Sequence, residues 1–263
     1  MAITDQGSNG AAGNLVQGNL IGTDISGTKS LGNYDEGIVI ADDPDINSTG
    51  SAASNLIGGT TPRTRNVISG NGRSPVPGNR YGIQFQGSRS HDNLVQGNFI
   101  GTDISGTGRL GNGEGVLLNH ETRHNTIGGV LTGTRNVISG NQRHGIIIFD
   151  GATGNLVQGN FIGTDHTGTG RLGNDFSGVN TVQSPGNIIG GAEDGARNII
   201  SDNDYGVAVG LRPSVPISGK LLIGEQGVTV QGNYIGTDVA GSSDIGNRRC
   251  GVLVDVQTRE NHS

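Results

Sequence analysis

The sequence predicts an all-β chain wound as a solenoid of about seven turns, with three short strands in each turn. Three observations carry this expectation. Glycine fills 50 of 263 positions, against a usual share of roughly 7%. Two sequence units alternate along nearly the whole chain. Short apolar runs led by glycine recur at intervals of 28 to 45 residues, too short and too rich in glycine to hold crossover helices.

Composition excludes the competing classes. Charged residues are 15% and prolines only 7, with a net charge of −6, whereas disordered chains are rich in charge and proline. Collagen needs glycine at every third position, and that period is absent. A helical bundle fails because glycine costs about 1 kcal/mol per helical site relative to alanine. The acidic balance argues against nucleic acid or an anionic membrane as partner. No run of 18 apolar residues occurs, so no membrane span is expected. One cysteine, Cys250, leaves no internal disulfide framework. The opening MAITDQGSNG has no basic start followed by an apolar stretch. Residues 1–263 are therefore expected to form a single domain, a soluble piece of a larger protein.

The first strand of each turn is read from GIVI at Gly37, GIQF at Gly82, GVLL at Gly115, GIII at Gly145, GVNTV at Gly178, GVAV at Gly206 and GVLV at Gly251. The other two strands come from the alternating units. One is NLVQGNLIGTDISGTKSLGN from Asn14, repeated closely at Asn93 and Asn155 and weakly at Thr229. The other is NLIGGTTPRTRNVISGN from Asn55, repeated at Asn125 and Asn187. Strands of successive turns would pair in parallel about 4.8 Å apart. Alternation then sends Ile38, Ile40, Ile83, Phe85, Val116, Leu118, Ile146 and Ile148 inward from the first strand, joined by Val95, Ile100, Ile127, Ile138, Val157 and Ile162 from the other two. Asn93, Asn125, Asn155 and Asn187 fall at one corner of successive turns. Their amides are expected to bond from turn to turn as a ladder.

These repeats resemble the right-handed parallel β-helix proteins, the pectate-lyase-like solenoids, and among them bacterial secreted and surface proteins with Asn-x-Ile-x-Gly-Asn repeats. The resemblance implies a single right-handed parallel β-helix and a location outside the cell or on its surface. Relatives of this fold include polysaccharide lyases, glycoside hydrolases, epimerases and adhesin-like domains. A long polymer lying along the rod is the ligand that the likeness implies, and no cofactor is required by the sequence.

Residues that repeat are read as structural, because a catalytic site is needed once. Asp24, Asp103, Asp165 and Asp238 of the IGTD motifs are expected to cap their own loops. Arg65, Arg135, Arg197, Arg109 and Arg171 are expected to cover turns and bond carbonyls or an adjacent aspartate. Phe99, Phe161 and Tyr234 should point outward from the third strand, with Leu110, Leu172 and Ile245 folding back onto them. GTDISGTKS from Gly22 only approximates a phosphate-binding loop, since Thr28 separates Gly27 from Lys29.

Residues that do not repeat are the candidates for chemistry. His91, Asp92, His120, Glu121, His124 and Asp150 are the candidate catalytic set, with His144 in the same stretch. Histidine beside carboxylate supports general acid/base work. His91 and His124 are expected at the same bend on adjacent turns, about 5 Å apart by strand spacing. HETRH at His120 matches the zinc motif H-E-x-x-H, but that motif requires a helix, and here it lies at a corner, so no metal is assigned. Ser88 and Ser90 beside His91 and Asp92 do not form a triad, because successive strand residues face opposite sides. Val39, Leu117, Ile147, Phe149, Val182 and Leu253 should form an apolar stripe on the outside of the first sheet. Leu117, Ile147 and Phe149 are the candidate binding residues within it. Such a stripe either meets a partner, a second copy or an apolar substrate, or is covered by Ala41 to Ser54 or Gly210 to Gly227. Three functions stay open: a module that binds, and can cleave, polysaccharide or another extended ligand; a structural or adhesive module that engages a protein surface or self-associates through the stripe; and an esterase-like hydrolase of small substrates at the histidine corner.

Overall fold

A computed structural model describes residues 1–5, 10–42, 50–73, 80–211 and 227–255. The chain forms a parallel β-helix of seven three-stranded turns plus the first strand of an eighth. Three parallel sheets of eight, seven and seven strands run along it, and each strand pairs with its counterpart one turn away. The first sheet begins with Ala2–Asp5 and Ile38–Asp42 and ends with Cys250–Val254. The second runs from Leu15–Val16 to Thr229–Gln231, and the third from Leu20–Ile21 to Tyr234–Ile235. Among the described residues the one helical element is a single turn at Asp194–Ala196. At a strand spacing of about 4.8 Å the seven turns rise roughly 34 Å.

The core follows the expected alternation. All fourteen aliphatic and aromatic residues assigned inward are fully buried and belong to one continuous cluster. Register explains the continuity: Ile83 sits on Val116, Val116 on Ile146, and Ile146 on Val179. Similar β-branched shapes stacked in line leave little void, so a narrow core fills without tryptophan.

Buried asparagine closes the corners. Both the backbone N–H and Nδ2 of Asn93 donate to Oδ1 of Asn125, at 3.0 and 2.9 Å, and Nδ2 also donates to the Ala52 carbonyl at 3.0 Å. The same pattern runs from Asn14 through Asn55, Asn93, Asn125 and Asn155 to Asn187. The expected ladder is therefore present and longer than its four named rungs. Two more ladders occupy the other corners. One runs from Asn19 through Asn98 and Asn136 to Asn233, the other from Asn33 through Asn112 and Asn141 to Asn247.

The two alternating units build two kinds of corner. Odd turns carry a long loop between the third sheet and the next first strand, and even turns carry one between the second and third sheets. Asp103 Oδ1 accepts N–H bonds from Ser105, Thr107 and Gly108, and Asp165 does the same in its own loop. Capping by the IGTD aspartates is thus as expected. Burial raises the pKa of the Asp103 and Asp165 carboxyls, but the Ser105 and Thr167 hydroxyls and the loop N–H groups outweigh it and hold both below the ordinary range.

Long loops of the same kind touch across the intervening turn. Ile104 N–H donates to Gly27 O, His166 to Gly106 O and Val239 to Gly168 O, each at 3.0 Å. Gly106 has φ of +70°, and a Cβ there would lie 2.7 Å from Phe99 Cζ, so glycine is required twice over. The outward Phe99, Phe161 and Tyr234 are covered as expected in kind, but by other groups. Arg65, Arg135 and Arg197 lie 4.1 to 4.3 Å over the three rings while donating to the carbonyls of Gly97, Gly159 and Gly232. Leu172 and Ile245 are buried, yet neither joins the aromatic cluster.

Replacing Asn136 by alanine removes the acceptor of two Asn98 donors and leaves the Val95 carbonyl without its partner. At about 1–3 kcal/mol per buried group left unsatisfied, Asn136→Ala should lower the unfolding free energy by at least about 3 kcal/mol. Urea midpoints measure this, with the half-exposed end rung Asn14→Ala expected to change far less.

Candidate functional site

The first sheet delivers its strands to a corner made of left-handed residues. His120, Asp150 and Gln183 occupy one row there with φ of +54°, +57° and +52°, an arrangement that costs non-glycine residues on the order of 1 kcal/mol or more each. Gly87 holds the same row one turn earlier, and its lack of a side chain makes room. Asp42, the last residue of Ile38–Asp42, folds its carboxylate against the Gly87 Cα, and a Cβ at Gly87 would collide with Oδ1. The result is a recess of about 340 Å³.

Three carboxylates line the recess, Asp42, Glu121 and Asp150, together with Gln86, Ser88, Arg89 and His120. His120 Nε2 lies 3.4 Å from Asp150 Oδ2, and Glu121 N–H donates to the Asp150 carbonyl at 3.0 Å. Asp42 Oδ2 accepts from the Arg89 backbone N–H at 3.1 Å, with Arg89 Nε 3.5 Å away. Asp42 Oδ1 is buried and accepts no hydrogen bond. At the rim, the half-buried Phe149 ring stands 6.5 Å from the His120 ring. The recess therefore combines an orphan acceptor, a histidine held at a carboxylate and a cation, with an aromatic ring beside the histidine.

Of the six candidate catalytic residues, three meet here: His120, Glu121 and Asp150. The other three sit at the next bend and do not line the recess. His91 Nδ1 pairs with Asp92 Oδ2 at 2.7 Å. The expected alignment of His91 with His124 is corrected by one residue, because His91 bridges Arg123 and Arg123 bridges Thr153. His124 follows in register with Asp92 and packs its ring against Gly154. HETRH has left-handed backbone at His120, Glu121 and His124, so it lacks the helix that the zinc motif needs. Among the described residues no group of three or more His, Cys, Asp or Glu is placed to hold a metal ion.

Leu117 and Ile147 do point outward, but they do not form an open face. They are 1% and 3% exposed and pack with Tyr81, while Phe149 is half-buried beside them. Most of Ala41 to Ser54 and Gly210 to Gly227, the two expected covers, lies outside the described residues. At the edge of the second, Asn180 Nδ2 donates to Leu211 O at 2.9 Å.

Sequence reasoning missed Asp42, Gln86 and Arg89. Register would have found Asp42, since Ala41 stacks on Gln86 and the next position pairs an acid with a glycine. It also missed Glu114, and with it the buried setting of His144, at the opposite end of the same strands. Glu114 and His144 are 5% and 2% exposed, Arg143 Nε lies 3.3 Å from Glu114 Oε1, and Ser177 N–H donates to His144 Nδ1 at 3.3 Å. Burial pushes Glu114 up to about 7 despite Arg143. Burial, aided by the Arg143 charge, pushes His144 down to about 3.

No protein-family model matches the chain, and comparison with curated proteins and with solved structures gives no match either. No helix among the described residues is long and apolar enough to cross a membrane.

Glu114 and His144 make opposite contributions to pH dependence. The raised Glu114 stabilises the fold fully below its unfolded pKa of 4.5, and that contribution is lost as pH rises to about 7. The depressed His144 stabilises it above 6.5, and that contribution is lost as pH falls toward 3. The two slopes cancel between pH 4.5 and 6.5, so their combined contribution is flat there. In Glu114→Gln only the His144 slope remains, and unfolding free energy should rise relative to wild type by about 3 kcal/mol across that window. Urea unfolding at pH 4.5 and 6.5 tests this, and parallel pH profiles for the two proteins would refute it.

Proposed function

We propose that this chain is a ligand-binding β-helix module and that its ligand is a polysaccharide or another extended, polyhydroxylated chain. The observation that carries the reading is the recess itself, a polar groove lined by three carboxylates. Glu121 is exposed and Asp150 partly so, and their carboxylate oxygens would accept hydrogen bonds from ligand hydroxyls. The Phe149 ring offers an apolar face of the kind that fixes a ligand's orientation between polar contacts. Because His120, Asp150 and Gln183 rise one strand spacing at a time, the row suits a chain lying along the rod. A location outside the cell or on its surface goes with this ligand.

The titratable groups in the recess also suit bond cleavage, the hydrolase or lyase form of the same reading. His120, oriented by Asp150, and Glu121 would serve as general acid and base. A second reading, an esterase-like hydrolase of small substrates, is favoured by one observation: Ser88 shares the recess with His120 and Asp150. For the adhesive reading, Leu117 and Ile147 offer almost no surface to a partner, while Val39, Phe149 and Leu253 of the same stripe are half-buried.

Glycan arrays followed by calorimetry test the proposal. Wild type is expected to retain at least one glycan class, with Glu121→Gln and Asp150→Asn each weakening binding by about tenfold or more at unchanged melting temperature. Absence of binding across a broad array, or affinities indifferent to both substitutions, would sink it. Ester turnover abolished by Ser88→Ala and by His120→Ala, without glycan binding, would instead establish the second reading.

A further inference from the structure

The loops of the even turns, between the second and third sheets, align without a gap at residues 60–65, 130–135 and 192–197. Each closes with the same backbone bond, from Thr64 N–H to Thr61 O, from Thr134 N–H to Leu131 O and from Ala196 N–H to Glu193 O, at 3.1, 3.2 and 2.9 Å. Each is also tied to the short corner of the odd turn before it, where the N–H groups of Gly18, Gly97 and Gly159 donate to the carbonyls of Thr64, Thr134 and Ala196. Successive loops touch, since a Cβ at Gly133 would collide with the Thr60 carbonyl and one at Gly195 with the Val130 carbonyl. The three loops therefore stand as one fixed ridge, with neighbours about 9.6 Å apart by strand spacing.

Backbones repeat along this ridge while the side chains at the tips change character. The first tip carries Thr61, Pro62 and Arg63, the middle one Val130 and Leu131, and the last Glu193 and Asp194. All seven are exposed, with Leu131 at 71% and Val130 at 39%. The Asp194 carboxylate stands free in solvent with Arg197 3.7 Å away, and among the described residues neither Arg63 nor Glu193 has an ion-pair partner. Basic, apolar and acidic tips thus follow one another in equal steps. Beside the ridge the outer face of the second sheet adds aliphatic surface, where Leu56 stacks on Leu94 and Leu156 on Ile188, none of them buried.

We propose that this ridge is the contact of an antiparallel homodimer, in which a second copy of the chain lies against the first with the two-fold axis at Leu131. Rotation about an axis perpendicular to the rod reverses the order of the tips. Arg63 of each copy then meets Glu193 and Asp194 of the other, while Leu131 meets its own counterpart. Equal spacing of the loops brings all three contacts into register at once. Parallel copies would instead set Arg63 against Arg63 and acid against acid, so charge selects the antiparallel arrangement. The contact is small, which makes the dimer a weak one that dissociates on dilution. It uses a different corner from the Asp42 recess and does not rest on the function proposed there.

Sedimentation equilibrium of the full chain, over a concentration series reaching about 1 mM and at low and high sodium chloride, tests the proposal. A monomer–dimer equilibrium is expected, weakened by salt because the charge pairs are exposed. Leu131→Asp, which sets two like charges on the axis, should weaken the dimer by about tenfold or more. Arg63→Glu, and separately Glu193→Arg combined with Asp194→Arg, should each weaken it several-fold, with melting temperatures unchanged because these side chains are exposed. An equimolar mixture of the two charge variants should regain the wild-type affinity, since both repulsions become attractions in the mixed dimer. A chain monomeric throughout the series, a dimer indifferent to Leu131→Asp, or charge variants that mixing does not rescue would overturn the proposal.

Discussion

Each corner of a coil buries backbone N–H and C=O groups that a tight turn cannot pair by itself, and the asparagine amide makes that burial tolerable. Oδ1 takes two donors from the turn before, the backbone N–H and Nδ2 of the preceding rung, while Nδ2 serves a carbonyl and the next rung. One side chain therefore settles several hydrogen bonds and ties consecutive turns at the same point. Aspartate would keep the acceptor and lose both donors, and leucine would lose everything, so the tolerance at these positions is narrow. Three such ladders leave the strands of the second and third sheets free to be only two or three residues long, because the corners hold the register that longer strands would otherwise provide.

With the corners fixed, variation is pushed outward. Long loops on alternate turns touch their own kind across the turn between, and glycine at Gly27, Gly106 and Gly168 is what lets each meet the next. Arg65, Arg135 and Arg197 seal the aromatic row beneath. What is left for chemistry is the set of places where a repeated residue is missing or changed: Gly87 beside Asp42, His120 and Asp150 in a left-handed row, and Ser30 where the next two long loops carry Arg109 and Arg171. A departure from the repeat marks a gap in the packing, and a gap is where a ligand can enter.

The fold was legible in the sequence because its determinants are local and repeated. Ile83, Val116 and Ile146 face inward by alternation, and Asn93 and Asn125 align by simple counting. The candidate site was legible only in part. His120, Glu121 and Asp150 stand out by not repeating, but the alignment of His91 with His124 failed by one residue, which periodicity alone does not resolve near a bend. Asp42 was missed because its place in the recess depends on a glycine one turn away. Leu117 and Ile147 were read correctly as outward, yet they pack with Tyr81 and are almost fully buried, so outward in a strand does not mean exposed. Glu114 was missed and His144 was noted without its burial, since nothing in their neighbours announces it.

The period of the surface is twice that of the core. A turn added to or removed from the middle of the rod would leave the inward residues and the asparagines in step, since every turn supplies the same rungs. It would not leave the loops in step. Two long loops of one kind would then stand a single strand spacing apart, and the contacts at Gly106 and Gly168, sized for a neighbour two turns away, would collide. Length in this solenoid is therefore governed by parity. The chain can grow or shrink by pairs of turns at little cost, while an odd change demands a rebuilt surface around an undisturbed interior.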